Sequence, residues 1–341
     1  MLYFQSDYIA GAHPEVMEAL CRTNTAPLPG YGTDEFCEAA AEKIRAACEA
    51  PSADVHFLTG GTQTNAVVIA SLLDATEGVV AAVSGHIGTH EAGAIEYTGH
   101  KVLTLPEHAG KLDPAELAAY LADFAADENN EHMVAPGMVY ISHPTEYGTV
   151  YSKAELAAIS DTCRKHGIPL YLDGARLGYG LAAVGTDLTL PDIAALCDVF
   201  YIGGTKIGAL CGEAVVFAAG KMPRRFATLT KQHGAMLAKG RLLGVQFHAL
   251  FSGDLYMRIS RRAVALAMRM REILLEKGYT LAIDSPTNQQ FPVLSAEKYA
   301  ALREKVAMSF WEKRADGSVV VRLATGWSTT EADVEALNDV L

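Results

Sequence analysis

Between residues 55 and 218, short β-branched and aromatic runs alternate with amphipathic stretches, the pattern of βα units that feed a mostly parallel sheet. The runs are Val55–Thr59, Val79–Val83, Lys101–Leu105, Met138–Ser142, Pro169–Asp173, Val199–Gly203 and Glu213–Ala218, and they predict seven strands. Two helix starts between them carry clear signals. Asp113-Pro114-Ala115-Glu116 offers a capping carboxylate with proline in the first turn, and Ser152-Lys153-Ala154-Glu155 is a capping box. An apolar helix is expected from Ala66 to Leu73. After Gly240 an apolar-periodic stretch runs to about Lys277, broken near Ser252-Gly253-Asp254, and predicts a connecting helix or pair of helices. Gln290–Leu294, Met308–Lys313 and Val319–Leu323 then read as strands, and Ser328-Thr329-Thr330-Glu331 as a capping box that opens a last helix. A large α/β domain followed by a small α+β domain accounts for this order.

Composition narrows the class. Half of the 341 positions are hydrophobic, enough for a sizeable core, and 28 basic against 40 acidic residues leave a net charge of -12. That balance gives no basic field to attract nucleic acid or anionic lipid. No run approaches the roughly 18 to 20 apolar residues of a membrane span, and no charged-then-apolar leader opens the chain, so a cytoplasmic protein is expected. Cys21, Cys37, Cys48, Cys163, Cys197 and Cys211 are scattered without C-x-x-C or zinc spacing and read as reduced thiols. Leu2-Tyr3-Phe4-Gln5-Ser6 looks like a protease-cleavage scar when read alone.

Four places carry candidate chemistry. The sixth run ends in Gly203-Gly204-Thr205-Lys206, a lysine just past the carboxyl end of a buried strand, where open α/β sheets place their ligands. Such an amine can form a Schiff base if its surroundings disfavour the ammonium, although an ordinary solvated loop lysine has the same sequence signature. The fifth run ends in Asp173, followed by Gly174-Ala175-Arg176. A buried carboxylate needs a partner, which could be a protonated ring nitrogen or simply Arg176. Thr59-Gly60-Gly61-Thr62-Gln63-Thr64-Asn65 joins a strand to a helix start and suits a phosphate, while lacking the spacing of a nucleotide loop. In Ser84-Gly85-His86-Ile87-Gly88-Thr89-His90-Glu91 a histidine could stack on a planar cofactor or move a proton; the H-x-x-x-H spacing without HExxH order disfavours a metal.

The order glycine-threonine turn, histidine, strand-terminal Asp and strand-terminal Lys resembles that of the low-specificity L-threonine aldolases of the β-eliminating lyase family, over essentially the whole chain. Gly60–Asn65 is similar to the family's phosphate turn, His86–Glu96 to its histidine segment, Leu172–Arg176 to its L-D-G-A-R motif and Thr205-Lys206 to its S/T-K pair. The resemblance implies the aspartate-aminotransferase type I fold with pyridoxal 5'-phosphate (PLP) as cofactor. Gly61, Thr62 and Thr205 would hold the phosphate, with Arg176 also near the cofactor; His86 would stack on the ring, Asp173 pair with its nitrogen and Lys206 form the Schiff base. Ser6, Arg176 and Arg322 would meet the substrate carboxylate, and Tyr31 lies in a segment that can reach a neighbouring subunit's site. Ser6-Asp7 matches the family's S-D pair, which favours a native N-terminus over a scar. Residues 1–20 would contribute to the active site and small domain, 21–240 form the PLP-binding domain, and 241–341 supply the connecting helix and small domain.

The implied reaction is cleavage of a β-hydroxy-α-amino acid to glycine and an aldehyde, in a homodimer or homotetramer. His86 is the first candidate for the base, with His90, Glu91 and His143 behind it. Two departures keep other reactions open: the lysine loop reads Thr205-Lys206-Ile207-Gly208 instead of S-K-G, and Ser142–Gly148 is loosely similar to an aminotransferase loop. The alternatives are another PLP-dependent lyase or aminotransferase, or a non-catalytic homologue.

Overall fold

The computed structural model describes residues 1–341. All seven expected strands form: β1 (Asp54–Leu58), β2 (Glu77–Ala82), β3 (Lys101–Leu105), β4 (Ala135–Ser142), β5 (Leu170–Asp173), β6 (Val199–Gly203) and β7 (Glu213–Phe217). They make one sheet in the order β1-β7-β6-β5-β4-β2-β3. Only β7 runs against its neighbours, and every other pairing is parallel.

The near-continuous apolar runs follow from helices covering both faces of the sheet. Alternate residues of each strand enter different cores. Val80, Val139, Ile141, Leu170, Leu172, Phe200 and Ile202 pack with Leu117, Leu156 and Ile159 on one face. Val79, Met138, Tyr140, Tyr171, Val199 and Tyr201 pack with Val67, Val68 and Ile69 of the Gly61–Leu72 helix on the other. Three tyrosines thus share the second face, and Asp173, two residues beyond Tyr171, has the same parity.

The connecting stretch is two helices, Arg241–Leu250 and Leu255–Glu276, separated where the sequence placed the break. The second spans two cores: Leu255, Ile259 and Val264 belong with the large sheet. Leu266, Met270, Ile273 and Leu274 join Phe4, Val321, Leu323, Val334 and Leu337 in a third core. Leu2–Tyr3 pairs in parallel with Val306–Ala307, so the N-terminal segment is an integral strand of the small domain.

Three expectations shift in detail. The Gly61–Leu72 helix begins five residues before Ala66, because the polar Gly61–Asn65 stretch makes its first turn. The strand expected over Gln290–Leu294 is interrupted at Phe291-Pro292, where proline has no N–H for the ladder. The last helix, Glu331–Val340, is capped by Thr330 with Asp333 in a reciprocal box, so Ser328 and Glu331 are not its capping pair.

Candidate active site

The carboxyl ends of β5 and β6 close on each other because glycines stand at both. A Cβ on Gly174 would overlap the Tyr201 carbonyl oxygen, and one on Gly203 would overlap the Ala175 carbonyl. Through this approach Gly61, His86, Ser142, Glu146, Asp173, Arg176, Tyr201 and Lys206 line one pocket. An adjoining cavity shares His86, Glu146, Arg176 and Lys206 and adds Tyr8, His90, Ser309, Trp311 and Arg322 from the N-terminal segment, the histidine loop and the small domain.

Asp173 is buried yet surrounded by donors. Its Oδ1 accepts from the Tyr201 hydroxyl at 2.5 Å and the Ala175 N–H at 3.0 Å; its Oδ2 accepts from the Tyr140 hydroxyl at 2.7 Å and Asn65 Nδ2 at 3.0 Å. Burial pushes its pKa up, but the charge on His86 and the hydrogen bonds from Tyr201 and Tyr140 outweigh it and hold the group below the ordinary Asp value. The carboxylate therefore stays ionised, the state needed beside a protonated ring nitrogen. Arg176 is not its partner.

His86 starts a short helix after β2, and its Nδ1–H donates to Glu91 Oε1 at 2.7 Å. Asn65 Nδ2 donates to the same oxygen at 2.6 Å, and the Tyr171 hydroxyl holds Asn65 Oδ1 at 2.7 Å. Burial would lower the imidazole pKa; the Glu91 hydrogen bond and the Asp173 charge raise it above the ordinary His value. This chain of contacts fixes the ring against the pocket that holds Lys206.

Lys206 makes no ion pair or side-chain hydrogen bond, and its Nζ sits 5.9 Å from the centre of the Tyr8 ring. Burial, then the Arg176 charge, lower its pKa, against the pull of Asp7, Glu213 and Asp173. An amine biased toward its neutral form is a competent nucleophile.

The two arginines differ in what remains free. Arg176 donates from Nε and Nη2 to the Asp7 carboxylate at 2.7 and 3.0 Å, a fork inside the chain. Arg322 has no carboxylate partner: its Nη2 lies 3.5 Å from Ser309 Oγ and its Nε is buried without an acceptor. Burial, then the charge of Arg176, depress its pKa to about 10.

The remaining expected residues are spread more widely. Gly60, Gly61 and Thr62 open the Gly61–Leu72 helix with no side-chain cap, and the N–H groups of Gly61, Thr62 and Gln63 find no acceptor in the chain. The Thr205 hydroxyl is held by Glu213 Oε1 at 2.9 Å and by the Gly212 N–H at 3.0 Å. Ser6 is buried and its Oγ receives the Tyr8 N–H at 3.4 Å. Tyr31 is 54 % exposed and lines a separate, largely apolar cavity with Cys37, Phe57 and Phe226. His143 is fully buried, its pKa pushed down to about 4 by burial, and it lies outside both site cavities. Glu91 is enclosed behind His86.

The sequence reading missed Asn65 as an orienting group, Tyr140, Tyr171 and Tyr201 as a hydroxyl-bearing floor, and Asp7 as the partner of Arg176. The tyrosines left a signal: each sits in an otherwise aliphatic strand at a position of the same facing. The PLP expectation passes a chemical test on these residues, since an uncapped helix start, an ionised carboxylate, a fixed imidazole and a partnerless amine meet in one place.

Comparison with known proteins first defines the class. The fold is that of the aspartate aminotransferases: the Thermus thermophilus enzyme superposes with a TM-score of 0.71 at 17 % identity, covering 99 % of this chain and 90 % of the other. Residues 4–308 match the beta-eliminating lyase family, and the chain belongs to it. A low-specificity L-threonine aldolase of a Pseudomonas strain is 31 % identical over 98 % of this chain and 95 % of its own length. Its counterpart in Pseudomonas aeruginosa is 30 % identical over 99 % and 95 %. The structure of a Leishmania major threonine aldolase matches with a TM-score of 0.96 and 42 % identity, covering 100 % of this chain and 98 % of the other.

Proposed function

We propose that this chain is a PLP-dependent lyase that cleaves L-threonine, L-allo-threonine and related β-hydroxy-α-amino acids to glycine and an aldehyde. The observation that carries the reading is Lys206, a shielded amine without a partner, in one pocket with the ionised Asp173 and beside the unpaired Arg322. The activity named for the Pseudomonas and Leishmania relatives supports the choice of reaction.

When bound, PLP supplies an aldehyde that condenses with amines and a ring that accepts electrons from a bond broken at Cα. The backbone N–H groups of Gly61 and Thr62, at the positive end of their helix, would hold its phosphate. Thr205, two residues past β6 with its hydroxyl tied to Glu213, would also hold the phosphate. His86 would lie against the ring face, and Asp173 would keep the ring nitrogen protonated. Arg322 binds the substrate carboxylate as the free guanidinium, and Arg176, locked to Asp7, adds positive charge beside it. Ser6 supports the same corner from the N-terminal segment.

The polar loop around Tyr31, exposed and outside its own chain's pocket, supports a homodimer or homotetramer in which it completes a neighbour's site. The separate small-domain core, which includes Phe4, supports a division at residues 1–20, 21–240 and 241–341. A cytoplasmic location is consistent with six unpaired cysteines and with the lack of any helix long and apolar enough to cross a membrane.

Incubation with L-allo-threonine and PLP tests the reading: acetaldehyde and glycine are expected in equal amounts. Formation of a keto acid from an amino donor, with no aldehyde, would instead make the chain an aminotransferase.

A further inference from the structure

Retro-aldol cleavage needs a group to take the proton of the β-hydroxyl, and the four candidates read from the sequence fare differently in the fold. His143 is fully buried and lines neither cavity, with its Nδ1 receiving the Tyr151 N–H. Glu91 is enclosed and its Oε1 already takes two donors, His86 and Asn65. His86 has its Nδ1 proton committed to Glu91, and against the pull of burial the Glu91 hydrogen bond and the Asp173 charge favour its charged form, which accepts no further proton. His90 stands on an exposed loop at the outer cavity, where burial and the neighbouring imidazole lower its basicity.

A fifth group is better placed. Glu146 lies in the loop after β4, beside the end of β2, and lines both site cavities with His86, Arg176 and Lys206. Its Oε1 accepts the His86 backbone N–H at 2.9 Å and the Ser142 hydroxyl at 2.6 Å, which fixes the carboxylate on the pocket wall. Oε2 accepts no hydrogen bond from another residue. Arg322, the carboxylate-binding cation, lines the same cavity, so a substrate held there by its carboxylate shares that space with Glu146.

We infer that Glu146 is the catalytic base of the cleavage, with Oε2 taking the proton of the substrate β-hydroxyl. The assignment rests on the aldolase reading above. As the O–H bond breaks, its electron pair becomes the second C–O bond of the aldehyde. The Cα–Cβ bond breaks and its pair stays with Cα, where one proton later completes glycine; the proton gained by Glu146 balances the one that Cα receives. Burial raises the Glu146 pKa above the ordinary glutamate value, against the hydrogen bond from Ser142, which makes the carboxylate a stronger base than a solvated one.

The test compares wild type with Glu146→Gln, which keeps an oxygen for the His86 N–H and Ser142. Two rates are read: aldehyde release from L-allo-threonine, and exchange of the glycine Cα proton in deuterated water, which needs the cofactor site and a base at Cα but no β-hydroxyl. A fall in aldehyde release of about 10²- to 10⁴-fold is expected, with exchange retained within about threefold. A loss of both rates together would overturn the assignment in favour of a positioning role, and undiminished cleavage in Glu146→Gln would overturn it outright. A wild-type chain that exchanges the glycine proton but releases no aldehyde would overturn the functional reading itself. In the chain without cofactor, a carboxyl band absent from Glu146→Gln should titrate above the ordinary glutamate range in infrared difference spectra, and titration within that range would count against the base.

Discussion

Replacing Arg322 by methionine separates binding from stability. The guanidinium makes no ion pair inside the chain, its Nε is buried without an acceptor, and its Nη2 reaches Ser309 Oγ only at 3.5 Å. Its Cζ lies 5.8 Å from the centre of the Trp311 ring, a cation–π contact that engages no N–H of the fork. If it binds the substrate carboxylate, the variant loses a charge-assisted pair in a mostly desolvated pocket, about 2–5 kcal/mol. At about 1.4 kcal/mol per tenfold, kcat/KM for L-allo-threonine should drop roughly 30-fold to several thousand-fold. Most of the loss should appear in KM, because the carboxylate is held equally before and during bond breaking. The melting temperature should stay level or rise, since a partially desolvated, unpaired cation is replaced by an apolar chain of similar length. Aldehyde release coupled to a reductase, measured beside thermal unfolding, reads both quantities. A kcat/KM within about threefold of wild type, or an unfolding transition several degrees lower, would refute this role and mark Arg322 as structural.

Other perturbations follow from the same geometry. Asp7→Asn leaves Arg176 buried without its counter-charge and should cost about 3–5 kcal/mol of stability, seen as a large drop in the denaturation midpoint. Glu213, buried beside Thr205, has its pKa raised from the ordinary 4.5 to about 8 by burial, partly offset by the Lys206 charge. Because the folded value lies above the unfolded one, ionising this group costs stability, and the cost grows as pH rises from the unfolded value through the folded one. Glu213→Gln should therefore melt above wild type at about pH 9, and the gap should close toward about pH 4.5; a gap independent of pH would contradict the shift.

Much of the large domain was legible because its strands are short apolar runs with sharp ends, and the helices over both faces left no competing pattern. The residues at those ends, Asp173 and Lys206, were legible for the same reason: chemistry at a strand's carboxyl end is a position that sequence order alone can mark. Polar helix starts were harder, since Gly61–Asn65 reads as loop until the helix is seen. Pro292 divides a strand that hydropathy makes continuous. The partners of charged groups were least legible. Arg176 and Asp7 are 169 positions apart, and only the packing of the N-terminal strand against the small domain brings them together. Glu146 sat in a loop that drew notice only for its likeness to an aminotransferase segment, because its value comes from the neighbouring ends of β2 and β4, which the sheet order places side by side.

Borohydride reduction of the PLP-loaded protein, followed by peptide mapping, tests the central claim most directly, because it fixes the cofactor to whichever amine holds it. One pyridoxyl adduct on Lys206 is expected, and none at any residue in Lys206→Ala. An adduct on a different lysine of the wild-type chain, or an unmodified Lys206 in protein that has taken up the cofactor, would contradict the account.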